Sequence, residues 1–185
     1  MVFWREVARS PRGIGSLFPS GRSLGRAVVR EVLAGSPGFV IEIGAGTGAI
    51  TGALLAQRDK FGGLTVLEKS PRMAALLAQR YPETTIRVAC ASELADQRFP
   101  RDVPLTIVSS LPFRSLPARD VASICAMIER LKDHHAGFRF IQYSYFGRVP
   151  FPSEGMCMEW RQRRTVFNNM PPATIWVLQD RQAHA

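Results

Sequence analysis

A chain of 185 residues, 46% of them hydrophobic, is long enough to close one well-buried domain and too short for two of ordinary size. It contains no run of about 18 uninterrupted apolar residues, so no bilayer-spanning helix is expected. The formal net charge of +9 points to a polyanionic partner, either nucleic acid or an anionic membrane surface, and charge alone does not choose between them.

Cys90, Cys125 and Cys157 are far apart with no paired spacing, which supports neither disulfides nor a zinc site and fits a reducing cytoplasm. No metal is expected. The first residues lack a long apolar core with a small-residue cleavage site, so no secretory signal is read.

In residues 2–9, Phe3 and Val7, and Trp4 and Ala8, are four apart, which puts them on one side of a helix with Arg5, Glu6 and Arg9 toward the other. Tryptophan and phenylalanine beside arginine is the make-up of a helix lying in a lipid interface. Phe3, Trp4, Val7, Arg5 and Arg9 are therefore candidates for membrane docking, against the plainer reading of a terminal helix packed on the domain. Pro11 stops this helix, and residues 13–21 form a flexible apolar loop. A second helix starts at Ser20 or Ser23, with Leu24, Ala27, Val28, Val32 and Leu33 toward the core. Arg22, Arg26 and Arg30 share one face, a spacing that suits phosphates. Residues 1–35 are read as a helical extension for docking and covering a pocket, and residues 36–185 as the main domain.

The stretch Phe39-Val40-Ile41-Glu42-Ile43-Gly44-Ala45-Gly46-Thr47-Gly48-Ala49-Ile50-Thr51 organises that domain. A β-prone apolar run passes into alternating glycines and then a helix start, so a buried strand turns tightly into a helix. Alternate glycines let a ligand approach the backbone closely. The dinucleotide fingerprint Gly-x-Gly-x-x-Gly is not met, and no Lys follows as a phosphate loop requires. With Glu42 at the strand end, the pattern Glu-x-Gly-x-Gly-x-Gly resembles motif I of class I S-adenosylmethionine-dependent methyltransferases. The resemblance implies that Glu42 helps hold the methionyl ammonium and that Gly44, Ala45, Gly46 and Gly48 wrap the cofactor.

Leu64-Thr65-Val66-Leu67-Glu68 ends in an acid roughly twenty residues beyond the glycines, where an α/β nucleotide site places its ribose carboxylate. Glu68 is the expected ribose ligand, with Lys69 beside it. Ser70 and Pro71 open a helix whose apolar side is read as Met73, Leu76, Leu77 and Tyr81. Strand and helix alternating at this spacing imply a parallel sheet with right-handed crossovers. Residues 85–89 form a third strand. Class I methyltransferases often carry Gly-Asp-Ala after it, the Asp accepting from the adenine amine, whereas this chain has Ala89-Cys90-Ala91, so Cys90 and Ala91 are expected only as pocket wall.

Leu105-Thr106-Ile107-Val108 is the fourth strand, followed by Ser109-Ser110-Leu111-Pro112-Phe113. A loop at the carboxyl end of a strand faces the ligand in such sheets, so Ser109 and Leu111 are expected at the cofactor and Ser110 at the reacting amine. Base-amine methylases have Asn or Asp at the Ser110 place, and a serine is a poorer acceptor for a base amine. Residues 121–131 read as a helix and His134-His135 as an exposed turn. In the fifth strand, residues 138–146, Tyr143 and Tyr145 fall on one side by the two-residue period. Two phenols there can accept from an ammonium and offer π-faces to a growing cation, and either is a candidate proton relay. Residues 160–167 form a basic strand and residues 173–178 its hairpin partner, joined by the Asn169-Met170-Pro171-Pro172 turn.

The spacing of Pro11, Gly13, Gly15, Ser16, Pro19 and Ser20, the glycine loop, Ser-Ser-Leu-Pro, Gln142-Tyr143-Ser144-Tyr145 and Asn169-Met170-Pro171-Pro172-Ala173 together resemble bacterial phosphatidylethanolamine N-methyltransferases of the soluble, peripheral type. Those enzymes are similar to ribosomal adenine dimethyltransferases. The resemblance implies a Rossmann-like class I methyltransferase fold: an α/β, seven-stranded, mostly parallel sheet ending in an antiparallel hairpin. It also implies methyl transfer from S-adenosylmethionine, leaving S-adenosylhomocysteine, to the amine of phosphatidylethanolamine and its mono- and dimethyl derivatives, leading to phosphatidylcholine. Arg22, Arg148, Arg161, Arg164 and Asn169 are candidates for the lipid phosphate. The expected location is cytoplasmic, at the inner face of the cytoplasmic membrane, as a monomer with no nucleic-acid partner. The alternative is an rRNA adenine N6-dimethyltransferase.

Overall fold

The computed structural model describes residues 19–35, 37–97, 99–100, 102–135 and 137–181. The docking positions Phe3, Trp4, Arg5, Val7 and Arg9, and the loop from Pro11, lie outside the described residues.

Helix α1 (Pro19–Leu33) leads into β1 (Phe39–Ile43) and α2 (Ala49–Leu55), followed by β2 (Gly63–Glu68), α3 (Pro71–Arg80) and β3 (Thr85–Val88). Next come β4 (Leu105–Ser109), α4 (Ala118–His134) and β5 (Arg139–Tyr145), and the chain closes with β6 (Met158–Val166) and β7 (Ala173–Asp180). The strands form one sheet in the order β3-β2-β1-β4-β5-β7-β6. The first five are parallel, and β7 runs antiparallel to β5 and β6. Strand order reverses between β1 and β4, so their carboxyl ends diverge into a crevice.

The two-residue period of the strands divides the core. Val40, Val108, Ile141, Ile175 and Val177 pack against Leu24, Val28 and Val32 of α1 and Ile50 and Leu54 of α2. Ile41, Ile43, Ile107 and Phe140 face Ile124, Met127, Ile128 and Leu131 of α4. With both faces covered, β1 and β4 read as continuous apolar runs rather than alternating ones.

Several details differ from the sequence reading. In α3 the buried line is Ala74 and Leu77, while Leu76 is 44% exposed because it lies about 100° around the helix from Leu77. His135 is buried, not part of an exposed turn; only His134 faces solvent. Helix α4 spans Ala118–His134, longer at both ends than expected. The basic strand begins at Met158 and carries a bulge between Gln162 and Arg164.

Candidate active site

Gly44, Gly46 and Gly48 have φ of 73°, 55° and 81°, left-handed backbone that glycine adopts without strain. The three differ in what surrounds them. A Cβ on Gly44 would stand 2.8 Å from Leu111 Cδ2, and one on Gly48 would stand 2.7 Å from Leu77 Cδ2 and 2.8 Å from the Tyr81 ring. A Cβ on Gly46 would meet only the Gly44 carbonyl, at 3.9 Å. Packing thus bears most on Gly48, at Gly44 only the end of the Leu111 side chain would have to shift, and Gly46 opens onto free space that a ligand can use. Ala45 is buried against Val66 and Leu77 and acts as a wedge under the loop.

Glu68 is tied to this loop. Its Oε2 accepts from the Gly46 N–H at 2.9 Å and its Oε1 from the Ser70 N–H at 2.8 Å. One carboxylate therefore fixes the β1 turn against the β2 turn, and each oxygen keeps a lone pair for a further donor such as a ribose hydroxyl.

Glu42 is wholly buried at the end of β1, and neither carboxyl oxygen has a hydrogen-bond partner. Burial lifts its pKa from 4.5 to about 7; Thr51 of α2 offsets part of this, and the charge of Glu68 adds to it. Both the hydroxyl and the backbone N–H of Thr51 act on the carboxyl, though neither closes a hydrogen bond of ordinary geometry. Glu42 is 0% exposed and lines neither of the two cavities at the carboxyl ends of the strands.

Two cavities meet at Leu111. The first, of about 160 Å³, is lined by Gly44, Glu68 and Lys69, by residues 89–92, and by Leu111, Leu116, Asp120, Ser123 and Ile124. Its walls are mostly apolar with a few polar groups, which suits a nucleoside. The second, of about 250 Å³, lies beyond the carboxyl ends of β4 and β5. It is lined by residues 110–115, by Gln142, Tyr143, Ser144, Tyr145 and Phe146, and by Arg148 and Pro150. No carboxylate is among them.

Tyr143 and Tyr145 stand edge to face, ring centroids 6.0 Å apart. Burial raises the Tyr143 phenol pKa above its ordinary value; a hydrogen bond with Ser110 opposes the rise, and the charge of Glu42 reinforces it. Burial likewise raises that of Tyr145, with a contribution from Tyr143. Both phenols therefore keep their protons near neutrality, and a relay that needs a phenolate is disfavoured. Gln142 Nε2 donates to the Leu111 carbonyl at 3.1 Å and to the Tyr143 carbonyl at 2.7 Å, fixing the β4 loop to β5.

The structure brings Ser110, Tyr143, Tyr145 and Arg148 together, and Glu68, Lys69, Cys90, Ala91 and Leu111 together. Ser109 is buried beneath the loop, its Oγ accepting from the Leu111 N–H at 3.3 Å, so it shapes the turn and lines neither cavity. Asn169 is also buried and donates to the Pro171 carbonyl at 2.7 Å, so its amide serves the β6–β7 turn and does not reach the cavity. Arg161 pairs with Glu159 at 2.7 Å. Arg22 and Arg164 lie outside the second cavity; Arg164 shares a groove with Arg26 and Arg30 between α1 and β6. Arg114, Leu116, Asp120 and Ser123 line the cavities without having been read as site residues from the sequence, and Gln142 entered there only within a strand motif. Polar residues such as Asp120 and Ser123 on an amphipathic helix carry no signal until the helix is docked.

The strand order, the terminal antiparallel hairpin and the crevice at the β1–β4 reversal make this the Rossmann-like fold of class I S-adenosylmethionine-dependent methyltransferases. No family model matches the chain. It is 31% identical over 100 residues, 54% of its length, to the ribosomal RNA small subunit methyltransferase A of Chlorobium luteolum. That overlap covers 36% of the relative, so the chain spans about a third of the relative it matches. Among solved structures it is similar to the Bradyrhizobium japonicum N-methyltransferase NodS in complex with S-adenosyl-L-homocysteine, with a TM-score of 0.63 and 14% identity over 97% of this chain and 98% of that one. It is also similar to the Burkholderia thailandensis 1,6-didemethyltoxoflavin-N1-methyltransferase, with a TM-score of 0.65 and 16% identity over 98% of this chain and 88% of that one.

Proposed function

We propose that the protein binds S-adenosylmethionine in the first cavity and methylates, from the second, the headgroup amine of phosphatidylethanolamine and its mono- and dimethyl derivatives. Three features support the cofactor: the open space over Gly46, the Glu68 lone pairs for the ribose, and, for the methionyl ammonium, the Glu42 carboxyl two residues before the glycine loop, which is buried and would have to be reached from the first cavity. Bound there, it supplies a methyl group on a sulfonium, already activated for in-line displacement by an amine lone pair.

The observation that carries the lipid reading is the position of Phe113. An enzyme acting on a base amine stacks the flipped base on an aromatic ring at this point of the loop. Here the ring lines the second cavity but is only 6% exposed, packed with centroids 4.7 Å from Phe151 and 6.2 Å from Phe140, which leaves little of its face for a stacked base. Ser110 also offers no amide to read a base. A small aliphatic amine needs neither.

The cavity suits such an amine. Apolar walls, two guanidiniums (Arg114 and Arg148) and no lining carboxylate disfavour an ammonium and so favour the neutral, nucleophilic amine. The same arginines can pair with the headgroup phosphate. Tyr143, held by Ser110, and Tyr145 orient the nitrogen through lone pairs and π-faces rather than by titrating. Desolvation and alignment then account for most of the rate.

Phe146, Val149, Phe167 and Met170 are exposed, at 76%, 43%, 80% and 91%. Because Tyr145 and Val166 both pair with Ala173, the segments that follow them emerge at the same end of the sheet as the second cavity. An apolar rim of this kind suits a peripheral seat on an anionic bilayer at the cytoplasmic face. Among the described residues, no helix is long and apolar enough to cross a membrane.

The second reading, adenine N6-dimethylation of ribosomal RNA, has better support from the sequence relatives than the lipid reading has, since the relative matched at 31% identity is a ribosomal RNA small subunit methyltransferase. Transfer of radiolabelled methyl from S-adenosylmethionine to phosphatidylethanolamine liposomes, run beside undermethylated small ribosomal subunits, separates the two. Label in lipid is the expected outcome, and label in RNA alone overturns the lipid reading.

A further inference from the structure

We infer that Asp120, in the first turn of α4, recognises the 6-amino group of the cofactor's purine. The inference rests on the reading that the first cavity takes an adenosyl nucleoside. The β3 turn that borders this cavity, Ala89-Cys90-Ala91-Ser92, contains no carboxylate, and the Ser92 hydroxyl donates to Cys90 Sγ at 3.3 Å. Two carboxylates line the cavity, Glu68 and Asp120. Glu68 is held at the glycine-loop end by the Gly46 and Ser70 N–H groups. That leaves Asp120 as the carboxylate contributed from α4.

Its setting fits a reader of amine donors. It stands in the first turn of the helix, and its carboxylate oxygens are acceptors for an amine donor. Asp120, Ser123 and Ile124 fall on one helical face by the i, i+3, i+4 rule, and Leu116 precedes them, so polar and apolar contacts enter the cavity from one segment. Ala89 and Ala91 stand on the β3 side as small walls for a flat ring. The ion pair between Asp120 and Arg119 is 3.5 Å long and its guanidinium is 88% exposed, a weak solvent-facing contact that leaves the carboxylate available. A 6-amino purine presents a donor to this acceptor, whereas a 6-oxo purine presents a second acceptor and is repelled. Asp120 thus takes, from a helix on the other side of the crevice, the part a β3 acid would take.

Calorimetry on the full chain tests this with two probes, S-adenosylhomocysteine and its 6-oxo analogue S-inosylhomocysteine. The parent chain is expected to bind the adenosyl form at least about tenfold more tightly. Asp120→Asn, whose amide can either accept or donate, is expected to bring the two affinities within about threefold, and Asp120→Glu to keep the preference. Near-UV circular dichroism establishes that the variants are folded. An unchanged preference in Asp120→Asn overturns the inference while leaving the cofactor reading intact. A folded parent chain that binds neither nucleoside overturns both.

Discussion

Glu42 and Glu68 lie at the ends of adjacent parallel strands, yet their surroundings assign them different work. Glu68 is satisfied by backbone donors and holds the loop in shape, while Glu42 is buried without a donor and carries a pKa of about 7. An acid with a raised folded-state value binds its proton more tightly in the folded chain than in the unfolded one. Its stabilising effect is therefore full below the ordinary value of 4.5 and is lost as pH rises from there through about 7, a cost of about 3 kcal/mol. Glu42→Gln should accordingly raise the melting temperature by several degrees at pH 8 and change it little at pH 4, while cofactor affinity falls at least about tenfold. Scans at the two pH values and calorimetry check this. In the parent chain, binding an ammonium against Glu42 should release close to one proton at pH 6, read from the heat of binding in buffers of differing ionisation enthalpy. At Tyr143, Phe should lower kcat about tenfold and leave the dissociation constant of S-adenosylhomocysteine within about twofold, because Tyr143 lines the second cavity and not the first.

The glycine loop is the element in which sequence and packing can be separated by experiment. Gly48→Ala must push a Cβ into Leu77 and Tyr81 at positive φ, so it should cost about 2–4 kcal/mol of stability and show as a lower urea midpoint. Gly46→Ala has room for its methyl and should cost only about 1 kcal/mol, yet it should weaken S-adenosylhomocysteine binding severalfold by filling the ligand's approach. If both variants lose stability and affinity in the same proportion, the distinction between packing glycine and approach glycine fails. Helix α1 is fastened in another way. The Glu31 carboxylate, 9% exposed, pairs with Arg163 of β6 at 3.1 Å, and the Glu31 carbonyl accepts from Arg139 of β5 at 2.8 Å. Glu31→Ala strands part of this cationic pair against the core and should lower stability by about 1–3 kcal/mol, measured by urea denaturation.

At the scale of the whole molecule, the +9 charge and the apolar rim act together. Arg26, Arg30 and Arg164 line a groove on the α1–β6 flank without a carboxylate among its walls, and Phe167 and Asn168 line it too. On the lipid reading, electrostatic attraction brings the chain to an anionic bilayer and Phe167 and Met170 enter the interface. The double variant Phe167→Ser with Met170→Ser should float with anionic vesicles at least about fivefold less than the parent, with unchanged affinity for S-adenosylhomocysteine, since neither residue lines the cofactor cavity. Equal flotation of variant and parent refutes the docking role of this rim.

What the sequence by itself determined was local and periodic. The β1 run, the alternating glycines and Glu68 about twenty residues on define their own turn, because short-range backbone freedom and burial fix it without help from distant residues. The strand alternation placed Tyr143 beside Tyr145 for the same reason. Long-range pairing decided the rest. Sequence spacing cannot show that Phe113 turns into a cluster with Phe140 and Phe151, that Asn169 spends its amide on Pro171, or that Asp120 meets the β3 turn. Each of those depends on which face a helix or loop presents once it is docked. Glu42 and Glu68 looked alike as acids closing adjacent strands, and only the closed sheet gave Glu68 two backbone hydrogen bonds and left the carboxyl oxygens of Glu42 without one of ordinary geometry.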